Sequence, residues 1–214
     1  MRILPTALSL ANLINSGFRY VIQTSDIYKI DESHALKHSM EVYNFAKKIY
    51  NSEIIKNPFL DEQKEIIFMS AIGHDMCDKK YMDEKQGILQ YQNYLSEQMR
   101  PNDSEVMGNI IGTMSYSKVK ANGYPNLKEY QLAYHIVREA DLLSAYDIDR
   151  CVIYGMYVEK LEYDAALKRA IELFKSRILK YRSDNLFITQ YSKKESLKLH
   201  KKAERELDFF KQLN

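Results

Sequence analysis

The sequence predicts an all-α fold. Apolar residues recur at helical spacing along nearly the whole chain. No run alternates polar and apolar residues in the manner of a half-buried strand. The 214 residues include only seven Gly, four Pro and no Trp, too few turn formers for an all-β chain. A hydrophobic fraction of 45% beside 28% charged residues excludes a disordered chain. No linker, repeat or low-complexity segment divides the sequence, so a single domain over 1–214 is expected, with C-terminal helices over 160–214 packing on the rest.

The elements follow in order. Residues 5–22 read as a first helix. A second is expected over 33–50 (SHALKHSMEVYNFAKKIY), with Asp31 and Ser33 as start signals. Asp61 and an acidic turn open a third over 61–76, and a helix of mixed polarity spans 85–98. Asn102 with Glu105 matches a cap and its partner ahead of a helix over 103–115. Residues 120–126 (KANGYPN) read as a loop. Asn126 with Glu129 opens a long helix over 127–147, and helices over 149–158, 164–181 and 192–213 complete the chain. Ser192 with Glu195 is a further capping pair. The last helix, basic early and apolar late, reads as a solvated packing helix; Phe209 and Phe210 either cap the core or cover a homodimer seam.

Charge and cysteine usage exclude further classes. With 31 Lys+Arg against 29 Asp+Glu the net charge is +2, which argues against a dedicated nucleic-acid or membrane-surface binder. Cys77 and Cys151 lie far apart and form no CxxC, so no disulfide framework is expected and a reducing compartment is. No apolar run is long enough for a membrane span. The opening MRILPTALSLANLI is broken by Asn12 and followed by Asn15, and no A-x-A cleavage pattern follows, so a cytoplasmic protein is expected.

Certain polar residues fall on apolar stripes. In helix 33–50 the positions Ala35, His38, Val42, Phe45 and Ile49 share one face, which turns His38 toward the core. Ile67, Ala71 and His74 do the same in the third helix, and Asp75 follows His74. Tyr130, Tyr134, Val137, Asp141 and Ser144 share a face of helix 127–147, so Asp141 is expected inside. A buried carboxylate costs several kcal/mol unless it is paired or binds a metal. One buried His is more often a satisfied core residue. Two His and two Asp directed inward suit a divalent metal site, although stripes alone do not show that the helices meet.

These residues resemble the HD superfamily of metal-dependent phosphohydrolases. That family carries H…HD…D on separate helices of an all-α bundle. The match is His38 in HSMEV, His74-Asp75 in AIGHDMCDKK and Asp141 in VREADLLSAYD, and it covers about residues 30–150. The bare HD pair is a weak signal; the flanking HSxxV, the apolar run before HD and the ADxL element strengthen it. The resemblance implies a metal held by His38, His74, Asp75 and Asp141. His34, one turn before His38, gives a His-x3-His, but Ala35 stands where a metalloprotease HExxH needs glutamate. His34 is read instead as a pocket-edge residue or plain surface.

Three departures narrow the family reading. Guanosine tetraphosphate hydrolases carry HDxxED, and here the segment is HDMCDK, which disfavours that activity. Gly123-Tyr124-Pro125 spells the GYP of cyclic-di-GMP phosphodiesterases, but Ser115-Tyr116-Ser117 stands in place of their HHE, so GYP reads as a turn. A common bacterial subgroup has His-Ser-aromatic-Ser in mid-domain, and here Met114 replaces that His. With no such His to help hold a second ion, one metal is expected.

The implied chemistry is hydrolysis of a phosphate ester. The metal polarises a phosphoryl oxygen and lowers the pKa of bound water. Mn²⁺, Fe²⁺, Co²⁺, Ni²⁺ or Zn²⁺ suits the donor set, and Mg²⁺ suits it less because of the imidazoles. The substrate is a small phosphorylated molecule; a nucleotide follows only from family tendency, and a non-catalytic nucleotide-binding or sensing module is the alternative. Asp75 is read as catalytic. Asp78 lies on the same side if the helix continues, as a base orienting water or as a helix-end residue. Lys79, Lys118 and Arg138, with His34, are the substrate-binding candidates; Lys80 and Lys120 are weaker ones, and each cation is otherwise a solvated charge. Glu139, Asp147, Asp149 and Arg150 read as salt-bridge builders, and Cys77 as a packing residue.

Overall fold

The computed structural model describes residues 7–212, so the expected helix start at 5 and end at 213 lie outside the described residues. Ten α-helices and no strand are found among them: α1 (Ala7–Tyr28), α2 (Leu36–Glu53), α3 (Lys64–Gly73), α4 (Glu84–Tyr94), α5 (Pro101–Thr113), α6 (Tyr116–Asn122), α7 (Gln131–Ser144), α8 (Ile148–Tyr157), α9 (Tyr163–Ser176) and α10 (Gln190–Gln212). The fold is all-α, as the periodicity predicts. Among the described residues no helix is long and apolar enough to cross a membrane.

Two helices are interior: α3 because its sequence is apolar on nearly every face, and α7 although it carries His135, Arg138 and Glu139, each of which finds a hydrogen-bond partner. In α3 every residue from Ile66 to Gly73 is buried. In α7 only Gln131, Leu132 and Asp141 are not. α2 lies against both, α1 and α5 cover α3, α10 crosses α2 and α7, and α8 pairs with α9. One contiguous set of buried apolar side chains runs from Leu13 to Leu207. Each large aliphatic side chain fully buried in it, such as Val42 or Ile49, contributes about 1.5–3 kcal/mol.

The boundaries differ from the expected ones where backbone geometry overrides the stripe. The helix expected over 61–76 is three pieces: a 3-10 turn at Pro58–Gln63, then α3, then a 3-10 turn at His74–Cys77. Pro101 takes the first position of α5, so Asn102 lies inside the helix and caps nothing. Residues 116–122 are helical where 120–126 was expected as loop, and Gly123, at φ +75°, ends that helix. Asn126 accepts from the Lys128 N–H in a local turn, and α7 begins only at Gln131. Side-chain caps are supplied by Asp83, Ser115 and Asp147.

The start of α10 departs most from expectation. Thr189, not Ser192, occupies the capping position, and its Oγ1 accepts from the Ser192 N–H at 3.4 Å. Glu139 forms no salt bridge among the described residues. Its buried carboxylate accepts from the Ile188 N–H at 2.7 Å, the Thr189 N–H at 3.1 Å and the Thr189 hydroxyl at 2.7 Å. Glu53 accepts from the Gln190 N–H at 3.2 Å. Two carboxylates thus meet the positive end of α10.

Gly73 closes α3 immediately before His74. A Cβ there would lie 2.2 Å from the buried Tyr91 ring, whose hydroxyl donates to the Met69 carbonyl at 3.1 Å. Glycine is required because the ring crosses where a side chain would stand. Gly73→Ala is expected to cost about 1–3 kcal/mol, lowering Tm by several degrees. An unchanged melting curve would show that the ring is free to move aside.

Candidate metal centre

His38 enters the core from the first turn of α2, and its ring is almost fully buried. Its Nδ1 lies 3.5 Å from Ser144 Oγ. That hydroxyl donates to the Asp141 carbonyl at 2.8 Å, so it accepts from His38. The proton is therefore on Nδ1, and Nε2 presents a lone pair. His74 is oriented in the same sense by backbone: its Nδ1–H donates to the Ala71 carbonyl at 3.0 Å. The two Nε2 atoms face each other at 3.2 Å.

Asp75 and Asp141 close the cluster. Asp75 Oδ2 is 3.0 Å from His38 Nε2 and its Oδ1 3.4 Å from His74 Nε2. Asp141 Oδ1 is 3.6 Å from both ring nitrogens. Neighbours on a regular helix point about 100° apart. His74 and Asp75 are consecutive where α3 gives way to a 3-10 turn, yet both reach His38 Nε2. Asp141 is 26% exposed, the most accessible of the four, and marks the open side.

The charges are strongly coupled. Burial, then the nearby Arg150 guanidinium, pushes His38 down to about 3. Burial acts on His74 too, but Asp75 and Asp141 outweigh it and push His74 up to about 9. Burial opposes ionisation of both carboxylates, yet the cationic His74 holds Asp75 and Asp141 well below the usual carboxylate range. The metal-free cluster thus carries a proton between the rings where two lone pairs would otherwise collide.

The donor set fits a divalent ion. Neighbouring ligands on a four- to six-coordinate ion with bonds of about 2.0–2.2 Å stand about 2.8–3.6 Å apart. The separations given above match that spacing. His38, His74 and Asp141 lie mutually within 4.8 Å and could hold a metal, with Asp75 in contact with both imidazoles. The Nδ1 bonds to Ala71 and Ser144 are the outer contacts that fix such ligands.

Arg150, read from sequence as a salt-bridge residue, is the cation of this site. Its Nη2 is 3.3 Å from Asp75 Oδ2 and its Nη1 3.9 Å from Asp141 Oδ1, while its Nε donates to the Ser33 carbonyl. Its early position on α8, one turn before Tyr154, was the available signal.

Of the substrate-binding candidates, the structure brings only His34 to the cluster. Its ring is buried, 6.3 Å from the His38 ring, with Nδ1 2.6 Å from Ser33 Oγ and Nε2 3.0 Å from Lys80 Nζ. Burial pushes His34 down to about 4. Lys80, not Lys79, is therefore the lysine at this wall, and Lys79 is exposed with no ion pair among the described residues. Lys118 is held by Glu84 and the Gly112 carbonyl. Arg138 is buried against the Leu186 carbonyl and Tyr124. The helix does not continue through Asp78, which is in extended backbone; its carboxylate accepts from the Lys80 N–H at 2.9 Å and stands 3.4 Å from Lys80 Nζ. Cys77 is a buried packing residue whose thiol burial pushes up to about 12.

No family model, curated protein or solved structure matches the chain. The fold and site define an all-α protein in which two buried His and a buried Asp meet the half-buried Asp141 beside one arginine.

The shifts give the metal-free protein a stability maximum near neutrality. His74, raised to about 9, contributes fully below about pH 6.5 and loses its contribution as pH rises to about 9. His38 and His34, depressed to about 3 and about 4, are protonated in the unfolded chain first, so stability also falls as pH drops below about 6.5. Each proton gives a slope near 1.4 kcal/mol per pH unit. Melting curves of chelator-treated protein from pH 4 to 9.5 are expected to peak at about pH 6–7. A Tm still rising at pH 9 would contradict the His74 assignment.

Proposed function

We propose that the chain is a metal-dependent phosphohydrolase of the HD type. The observation that carries this reading is the convergence of the His38 and His74 Nε2 atoms, each ring oriented by a bond at its Nδ1, on the carboxylates of Asp75 and Asp141. His38, His74, Asp75 and Asp141 would hold one divalent ion. When bound, such an ion supplies Lewis acidity toward a phosphoryl oxygen and acidifies water. Arg150 orients the carboxylates and offers positive charge to a phosphate at the open side of Asp141. Lys80, against His34, adds a second cation at the wall. A small phosphorylated substrate, a nucleotide among them, suits this charge.

One observation favours the alternative, a module that binds a nucleotide without turning it over. Asp78 pairs with Lys80, and among the described residues no carboxylate other than Asp75 and Asp141 stands against the His38 and His74 rings, which leaves no separate base in contact with them.

Metal content of protein purified without chelator tests the site. About one transition-metal ion per chain is expected in wild type and none in His74→Ala. No metal in either, after soaking in Mn²⁺ and Ni²⁺, would overturn the reading. Apparent Mn²⁺ affinity should rise about tenfold per pH unit from 7 toward 9, since binding displaces the His74 proton. Mn²⁺ at a hundred times its Kd should stabilise wild type by about 2.7 kcal/mol. The loaded protein is then screened against p-nitrophenyl phosphate and nucleotides. Metal-dependent phosphate release identifies the hydrolase, and nucleotide binding without product identifies the sensing module.

A further inference from the structure

A second cluster of positive charge lies behind α7. A pocket of about 180 Å³ is lined by Tyr116, Val119, Lys120, Arg138, Leu142, Asp184 and Leu186. Arg138 is only 2% exposed, and it binds no carboxylate among the described residues. Two of its five N–H donors are used, one on the Leu186 carbonyl at 2.8 Å and one on the Tyr124 hydroxyl at 2.9 Å. Tyr116 is flanked by two more cations, with Arg177 4.2 Å and Lys120 5.9 Å from its ring centre. Neither forms an ion pair among the described residues; Arg177 donates to the Tyr181 hydroxyl. Asp184 is exposed and is the one carboxylate in the lining.

A buried guanidinium without a counter-charge is costly, and Lys120 and Arg177 add positive charge beside it with no carboxylate paired to either among the described residues. The usual resolution is an anion. We propose that this pocket binds a phosphate-type oxyanion, held by Arg138 and Lys120 with Tyr116 as its floor. Guanidinium and ammonium donors match such an anion's oxygens, and Arg138 retains N–H groups to give. The volume is below the roughly 300 Å³ at which pockets for drug-sized ligands begin. It suits one phosphate group rather than a whole nucleotide. The site does not depend on the metal reading. Arg138 is one turn before Asp141 on α7, so the anion is either a free effector or a distal phosphate of a substrate held at the metal centre.

The test is binding of inorganic phosphate at constant ionic strength, read by calorimetry and by Tm, with chloride as control. Wild type and His74→Ala are expected to bind phosphate alike in the presence of chelator. Lys120→Gln, an exposed position on α6, is expected to weaken binding about tenfold while leaving the phosphate-free Tm unchanged. Arg138→Gln should abolish binding, but it also loosens residue 186, so Lys120→Gln carries the decision. Phosphate binding unaffected by Lys120→Gln would overturn the proposal. So would binding that disappears in His74→Ala, which would place the anion at the metal centre instead. With Mn²⁺ present, pyrophosphate binding more tightly than phosphate in wild type but not in His74→Ala identifies the distal-phosphate role. Equal binding of the two identifies an effector site.

Discussion

Two carboxylates and two imidazoles occupy one buried volume, and their charges have to balance there. Asp75 and Asp141 can be ionised in the core only because His74 and Arg150 stand against them. Without a cation, the carboxylates would leave their burial uncompensated, at a cost of several kcal/mol each. The same balance dictates much of the fold. α2, the end of α3, α7 and the start of α8 must converge on one point, and the interior character of α3 and α7 makes that possible.

Rigidity comes from elements with no charge at all. The Ala71 carbonyl and the Ser144 hydroxyl each take one ring proton, which settles how both imidazoles face. Ser144 also donates to the Asp141 backbone, so one hydroxyl connects a ligand on α2 to a ligand on α7. The Tyr91 ring against Gly73 sets where α3 stops. A cluster so held is organised before any ion arrives, which reduces the reorganisation that binding requires.

The sequence made legible what depends on helical period. His38, His74 and Asp141 were readable because each falls on an apolar stripe, and such stripes survive small errors in helix boundaries. Asp75, off the stripe, is legible only as the neighbour of His74, and its place among the ligands rests on the HD resemblance. What depends on where a helix ends was not legible. Asp78 was expected beside Asp75 on a continuing helix, but the chain turns extended at that residue. Arg138 was expected near the phosphate of the metal site, yet its partner at Leu186 is 48 residues away, a distance that no local pattern encodes. Glu139 and Arg150 were both read as salt-bridge residues. Arg150 is one; Glu139 instead receives backbone N–H groups whose position only the tertiary fold determines.

The Glu139 carboxylate has a consequence for how the molecule is made. Its three donors come from residues 188 and 189, whereas His38, His74, Asp75, Asp141 and Arg150 all precede them. On a ribosome the whole ligand set emerges first, while α7 still carries an acid with nothing to receive it. Burial of α7 in its final form therefore waits for the residues that open α10, so this helix completes the packing around the ligand set rather than being an appendage to it.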